Sequence, residues 1–183
     1  MSTTGFDRNN VIELLTELGR RLAAKGVAGK LYIVGGAAMA LEFDTRRSAR
    51  DIEAVLHPPT TVADEAASMA TELGLPPAWL SAAANPFIPL PDEDPVSLDV
   101  EGLQVAVSSA ANLLAKKMAA GRPQALTDLA VLFRHLKIRS AEQAVDIAER
   151  MYGDDSVVLS EPRESLLLLA ESVLARVRAS ENR

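Results

Sequence analysis

A short run of strand-forming apolar residues, Leu31–Val34, is stopped by two consecutive glycines, Gly35 and Gly36. Helix-forming residues resume directly afterwards, over residues 37–43. An apolar run of this length that ends at glycine is typical of a buried strand, and glycine permits a tight turn into a following helix. The sequence therefore predicts a strand, a glycine turn and a helix, so this part of the chain must contribute to a sheet.

A second strand is predicted over residues 51–56, shortly before the prolines at 58 and 59. Side chains alternate between the two faces of a strand. Asp51 and Glu53 are therefore predicted to share one face, with Ile52 and Ala54 on the other.

The remaining pattern divides the chain into an α/β half, residues 1–107, and a helical half, residues 108–183. In the first half, helical spacing predicts a helix with Asn10 as its N-cap that ends near Gly26 or Gly29. Alternation predicts a hairpin of strands 96–100 and 103–107 that turns at Glu101-Gly102. The other predicted helices cover residues 61–73, 79–84, 110–120, 126–136, 141–151 and 164–177.

Composition narrows the classes of function. A formal net charge of -6 argues against a protein that coats nucleic acid nonspecifically, since such binding requires many neutralised phosphates. The chain has no Cys and only two His, so a bound metal is expected to be held by carboxylates, which favours Mg²⁺ or Mn²⁺. Because the sequence shows neither a signal peptide nor a membrane span, we expect a cytoplasmic protein with no membrane partner.

A glycine turn that opens a helix, followed by two carboxylates at i and i+2 on a strand, is one way to bind a nucleoside triphosphate with its metal. Glycine lets the backbone approach phosphates closely, and carboxylates hold divalent cations. A Gly-Gly pair is more often an ordinary turn, and an Asp-x-Glu strand face is more often solvent-exposed. On these features alone, an ordinary turn and a solvent-exposed strand face are favoured over a nucleotide-binding site.

The order of motifs resembles that of minimal nucleotidyltransferases related to the abortive-infection AbiE toxins and the mycobacterial MenT toxins. The family signature is a strand, Gly-Gly, a helix and then Arg-x-Thr-x-Asp-x-Asp, which is similar to residues 31–41 and 47–53 here. A later strand that leads into Leu-Leu-Ala-x-Lys-Leu-x-Ala-x-Arg is similar to residues 103–107 and 113–122. Thr127-Asp128-Leu129 fits the Asp-Leu motif of the family.

The resemblance implies an α+β fold: a polymerase-beta-like mixed sheet flanked by helices, followed by a C-terminal helical bundle. It implies that Asp51 and Glu53 bind the metal, that Gly35 and Gly36 contact the triphosphate, and that Lys117 with Asp128 contacts nucleotide or phosphate. A third metal-binding carboxylate is expected on a neighbouring strand, where Asp99 is the first candidate and Glu101 the alternative. Arg47 is assigned to nucleotide binding, and together with Arg46 and Arg50 it is expected to meet the phosphates of an acceptor.

The activity implied is transfer of a nucleoside monophosphate from an NTP, with Mg²⁺ or Mn²⁺, to an RNA, tRNA included, or to a protein. The partner implied is a cognate antitoxin. Three departures from the family pattern are Glu53 in place of Asp, Ala49 in place of Thr, and the loss of an Arg and an Asp from residues 122–126. They leave two alternatives: a catalytically impaired nucleotide- or partner-binding module of the same fold, and a structural protein with a decayed site.

Overall fold

The computed structural model describes residues 5–44, 48–82, 88, 91–121, 125–153, 158–159 and 161–181. The chain forms two compact units: the first is Met1–Asn85 with Pro95–Ser108, and the second is Pro86–Asp94 with Ser109–Arg183. The first unit holds the sheet, and the second is helical. The segment 86–94 belongs to the helical unit, whereas the sequence pattern predicts it in the α/β half.

The first unit contains three helices, a π-helical turn and five strands among its described residues. In chain order they are α1 (Arg8–Ala24), β1 (Gly29–Val34), α2 (Gly35–Ala38), the π-helical turn (Met39–Phe43), β2 (Ile52–His57), α3 (Pro59–Leu73), β3 (Leu80–Ala82), β4 (Val96–Val100) and β5 (Leu103–Val107). The strands form one mixed sheet in the order β3-β2-β1-β5-β4. β1 pairs antiparallel with β2 and parallel with β5, β3 is parallel to β2, and β4 is antiparallel to β5. The predicted α+β class, with a mixed sheet flanked by helices and further helices at the C-terminus, is confirmed.

The core of the first unit lies between the sheet and α1 and α3. α1 contacts β1, β4 and β5, while α3 contacts β2 and β3. The sheet residues on this face are buried: Leu31, Ile33, Ile52, Ala54, Leu56, Leu103, Val105 and Val107. Burial of this apolar face is the main stabilisation of the unit, and it fixes which residues of each strand point to the opposite face.

Two local predictions are wrong. The N-cap of α1 is Asp7, whose side chain accepts from the backbone N–H of Asn10, so the helix begins before the predicted cap. Residues 79–84 are not a helix over their described part: β3 occupies Leu80–Ala82. Trp79 is fully buried, its indole N–H donates to the Ala66 carbonyl, and its own carbonyl accepts from Ile52 N–H. These contacts hold the segment extended beside β2.

The described part of the second unit contains four helices: α4 (Ala110–Ala120), α5 (Ala125–His135), α6 (Ala141–Tyr152) and α7 (Arg163–Glu181). α4 packs on α5 and α6, and α7 packs on the same two helices. Ser109 caps α4, and the predicted capping box of Ser140 and Gln143 opens α6. Within the residues that the structure describes, no helix is both long and apolar enough to cross a membrane.

Candidate functional site

Glu53 lies against the glycine turn. Antiparallel pairing of β1 and β2 sets Glu53 opposite Val34, the residue just before Gly35. Gly35 has φ +66°, and a Cβ built there would lie 2.7 Å from Glu53 Oε2. The backbone conformation therefore favours glycine, and a side chain at this position would also have to displace the flexible end of the Glu53 side chain.

Gly36 differs from its neighbour. Among the described residues, a Cβ built at Gly36 would meet only the Cβ of Ala49, at 3.8 Å, which is an ordinary van der Waals contact. Its φ lies outside the left-handed region. The fold of the described residues therefore favours glycine at position 35 and not at position 36.

Asp51 precedes β2 by one residue and shares a face with Glu53. Both carboxylate residues are partly exposed, while Ile52 and Ala54 are fully buried on the opposite face, so the predicted alternation is confirmed. Ser81 on β3 donates its hydroxyl to Asp51 Oδ2 at 3.0 Å. In the parallel register of β2 and β3, Ser81 is the partner of Glu53. One hydroxyl and two carboxylates thus lie side by side on two neighbouring strands.

The segment that enters β2 is held by the N-terminal part of the chain. Phe6 N–H donates to the Ala49 carbonyl at 2.7 Å, and Ala49 N–H donates back to the Phe6 carbonyl at 2.8 Å. Ala49, which stands where the family pattern has Thr, is only 3% exposed. Its side chain is a packing group beside Gly36, and the two backbone bonds fix the chain two residues before Asp51.

Asp99 is not near these carboxylates, and the expectation that it is their third partner is wrong. β1 and β5 lie between β2 and β4. Asp99 aligns through Gln104 with Lys30, whereas Glu53 aligns with Val34. At about 4.8 Å per strand and about 3.3 Å per residue, the two are separated by roughly 14 Å across the sheet and roughly 13 Å along it.

Glu101, the alternative third carboxylate, lies in the hairpin turn at the same end of the sheet as Asp99. Among the residues that the structure describes, no group of three or more His, Cys, Asp or Glu side chains is arranged to hold a metal ion. Asp51 and Glu53 nevertheless fit Mg²⁺ or Mn²⁺. They are oxygen donors on one strand face, and Mg²⁺ is often held by only one or two carboxylates, with substrate phosphates and water completing its shell.

Lys117 and Asp128 form an ion pair within the second unit. Lys117 Nζ lies 2.5 Å from Asp128 Oδ2, and the two side chains are 15% and 5% exposed. Lys117 is in the last turn of α4 and Asp128 is in the first turn of α5. At these positions each charge interacts favourably with the dipole of its own helix. The expected contact between the two residues is present, and its role toward a nucleotide stays a prediction.

The structure describes only one of the three arginines that precede β2. Arg50 is exposed and directly precedes Asp51. Arg46 and Arg47 lie outside the described residues, so their assignment to phosphates stays a prediction.

Comparison with protein-family models, curated proteins and solved structures finds no match to the chain.

Sequence reasoning missed Ser81 and Phe6 as parts of this site. Ser81 belongs to a strand of only three residues, whose apolar run is too short to be told from a helical turn by periodicity. Phe6 contributes through its backbone, for which a side-chain pattern gives no signal. The prolines at 76 and 77 separate this segment from α3, but they do not distinguish a strand from a helix that begins after them.

Gly35→Ala should separate the backbone requirement from the contact with Glu53. The matched control is Gly74→Ala: Gly74 has φ +63°, and apart from its chain neighbours no described residue lies within 4 Å of the added Cβ. A left-handed alanine costs about 1–2 kcal/mol, so both variants should lose a similar amount of unfolding free energy in urea titrations. Only Gly35→Ala displaces the Glu53 carboxylate, so only this variant should lose Mn²⁺ affinity in calorimetry. Equal Mn²⁺ affinity in the two variants would contradict a ligand role for Glu53.

Proposed function

We propose that the chain is a metal-dependent nucleotidyltransferase. It moves a nucleoside monophosphate from an NTP to an RNA, tRNA included, or to a protein acceptor, as the toxin of a toxin–antitoxin pair. The observation that carries the proposal is the position of the Glu53 carboxylate beside the Gly35 turn, on the same strand face as Asp51. A glycine turn for phosphates and a carboxylate pair for their cations are thereby joined in one sheet.

In the proposed reaction, the acceptor oxygen forms a bond to the α-phosphorus as the bond between the α-phosphorus and its bridging oxygen breaks. Pyrophosphate leaves, and the proton of the acceptor hydroxyl passes to solvent water. Asp51 and Glu53 would hold Mg²⁺ or Mn²⁺, which supplies charge stabilisation for the phosphates and lowers the pKa of the attacking hydroxyl when bound. The toxin role and the antitoxin partner rest on the resemblance, since the fold alone supports many chemistries.

A labelled-transfer assay tests the proposal. The chain is incubated with Mg²⁺ and each NTP, labelled at the α- or at the γ-phosphate, together with total RNA, purified tRNA or a protein extract. Nucleotidyl transfer attaches the α-label to the acceptor and never the γ-label. Attachment of the γ-label would instead indicate phosphoryl transfer and overturn the proposal.

A binding-only module is the second candidate, and the placement of Asp99 favours it. With Asp99 and Glu101 at the far end of the sheet, the site holds two carboxylates among the described residues, one of them a Glu in place of the usual Asp. The added methylene lengthens the ligand, and Mg²⁺ tolerates poor octahedral geometry badly. Calorimetric binding of an NTP with Mg²⁺, without α-label transfer to any acceptor, would support this candidate.

Two substitutions of Glu53 test the length and the charge of this ligand separately. Glu53→Asp restores the family's ligand length and should keep or raise the transfer rate, whereas Glu53→Ala removes the charge and should reduce it by at least about 100-fold, since a bound cation contributes several kcal/mol. Rates are measured with the α-labelled NTP at saturating Mg²⁺. Similar rates in wild type and both variants would show that Glu53 holds no cation.

A further inference from the structure

Ser81 on β3 is hydrogen-bonded through its side chain to Asp51. Its hydroxyl donates to Asp51 Oδ2 at 3.0 Å, across the β2–β3 pairing. A hydroxyl that donates to one carboxylate oxygen restricts rotation of the carboxylate and leaves the second oxygen for another partner. Residues that fix a ligating carboxylate in this way affect metal affinity without touching the metal.

The segment that carries Ser81 is anchored from both sides. Trp79 is buried beneath it and bonds through its indole to the Ala66 carbonyl at 2.9 Å. Ile52 N–H donates to the Trp79 carbonyl at 2.7 Å, which joins this segment to the first residue of β2. These contacts hold the three-residue strand β3 in place, and they thereby fix the position of the Ser81 hydroxyl beside Asp51 and Glu53.

We infer that Ser81 is a positioning residue, whose hydroxyl orients the Asp51 carboxylate for a divalent cation. The inference rests on the proposed function, because it presumes that Asp51 holds the cation. The inference gives β3 a specific role at the site, although no predicted motif includes this strand. It also offers an account of how two carboxylates can suffice where a third was expected: the first of them is held in place before the cation arrives.

The test is a Mn²⁺ titration by calorimetry of wild type, Asp51→Ala, three Ser81 variants and one control variant of the full chain, with a thermal melt of each. Loss of a residue that orients a metal ligand typically lowers affinity about 10- to 100-fold, and this range is expected for Ser81→Ala. Ser81→Thr and Ser81→Val form a matched pair of nearly equal shape that differ in the hydroxyl alone, and both suit a strand. The threonine variant should bind Mn²⁺ within about threefold of wild type, and the valine variant should resemble Ser81→Ala. Ser97→Ala, an exposed serine on β4, is the control and should bind as wild type does.

Each outcome decides the inference. Equal Mn²⁺ affinity in the threonine and valine variants, or weakening that follows the melting temperature instead of the hydroxyl, would overturn it. Wild-type binding that depends on Asp51 but not on Ser81 overturns this inference and leaves the proposed function standing. Failure of the wild-type chain to bind Mn²⁺ overturns this inference, whereas the labelled-transfer assay decides the proposed function separately.

Discussion

Asp51→Ala should abolish nucleotidyl transfer and Mn²⁺ binding while the chain remains folded. Asp51 is partly exposed and lies at the entry to β2, so its removal leaves the apolar core under α1 and α3 untouched. A bound cation contributes several kcal/mol of charge stabilisation, and each 1.4 kcal/mol is about tenfold in rate, so transfer should fall by at least about 100-fold. Unfolding free energy should stay the same or rise slightly, because removal of one carboxylate relieves repulsion with Glu53 in the metal-free protein.

Asp99→Ala is the matched control for this substitution. It makes the same chemical change on the same sheet, at the end far from Glu53. It should bind Mn²⁺ and transfer nucleotide as wild type does. Weak Mn²⁺ binding by Asp99→Ala together with full binding by Asp51→Ala would reverse the assignment of the site.

The predictions that held depend on local patterns. The capping box at Ser140, the two-residue turn at Glu101-Gly102 and the shared face of Asp51 and Glu53 each follow from a few neighbouring residues. None of them requires knowledge of which strands are neighbours in space.

The placement of Asp99 failed because it required that knowledge. Chain order suggested that the strand after β2 in the hairpin region lies beside it, but the parallel pairing of β1 with β5 sets two strands between β2 and β4. The hydrogen bond between Ser81 and Asp51 could not be predicted from the sequence for the same reason. It arises from a β2–β3 pairing fixed by the buried Trp79, which is a tertiary contact that overrides weak local propensity.

The contact between Glu53 and Gly35 could be predicted only in part, because it depends both on local patterns and on strand pairing. The glycine turn and the acidic strand are each visible in the sequence, whereas their contact depends on the register that pairs Val34 with Glu53. A shift of one residue would turn Glu53 into the core face. The buried Ile52 and Ala54 oppose that shift, so the apolar pattern of β2 indirectly sets the position of its acidic face.

Lys117→Met should greatly weaken NTP binding, and the ion pair with Asp128 makes the reason testable. The Asp128 side chain is 5% exposed, so removal of its partner leaves a buried charge uncompensated, and such losses typically destabilise by about 3–5 kcal/mol. A fall in NTP affinity in this variant therefore has two explanations: loss of a positive charge that meets the triphosphate, or damage to the helical unit. Lys116→Met, at the adjacent and likewise partly exposed lysine on α4, should leave NTP affinity near the wild-type value.

The double variant Lys117→Met/Asp128→Leu separates the two explanations. Replacement of both members of a buried ion pair by apolar residues is often neutral or stabilising, so unfolding free energy should return to near the wild-type value. If Lys117 meets the triphosphate, NTP affinity measured by calorimetry with Mg²⁺ should remain at least about tenfold below wild type, because the charge-assisted contacts stay lost. Recovery of wild-type NTP affinity together with stability would show that the pair only joins α4 to α5, and it would remove Lys117 and Asp128 from the proposed site.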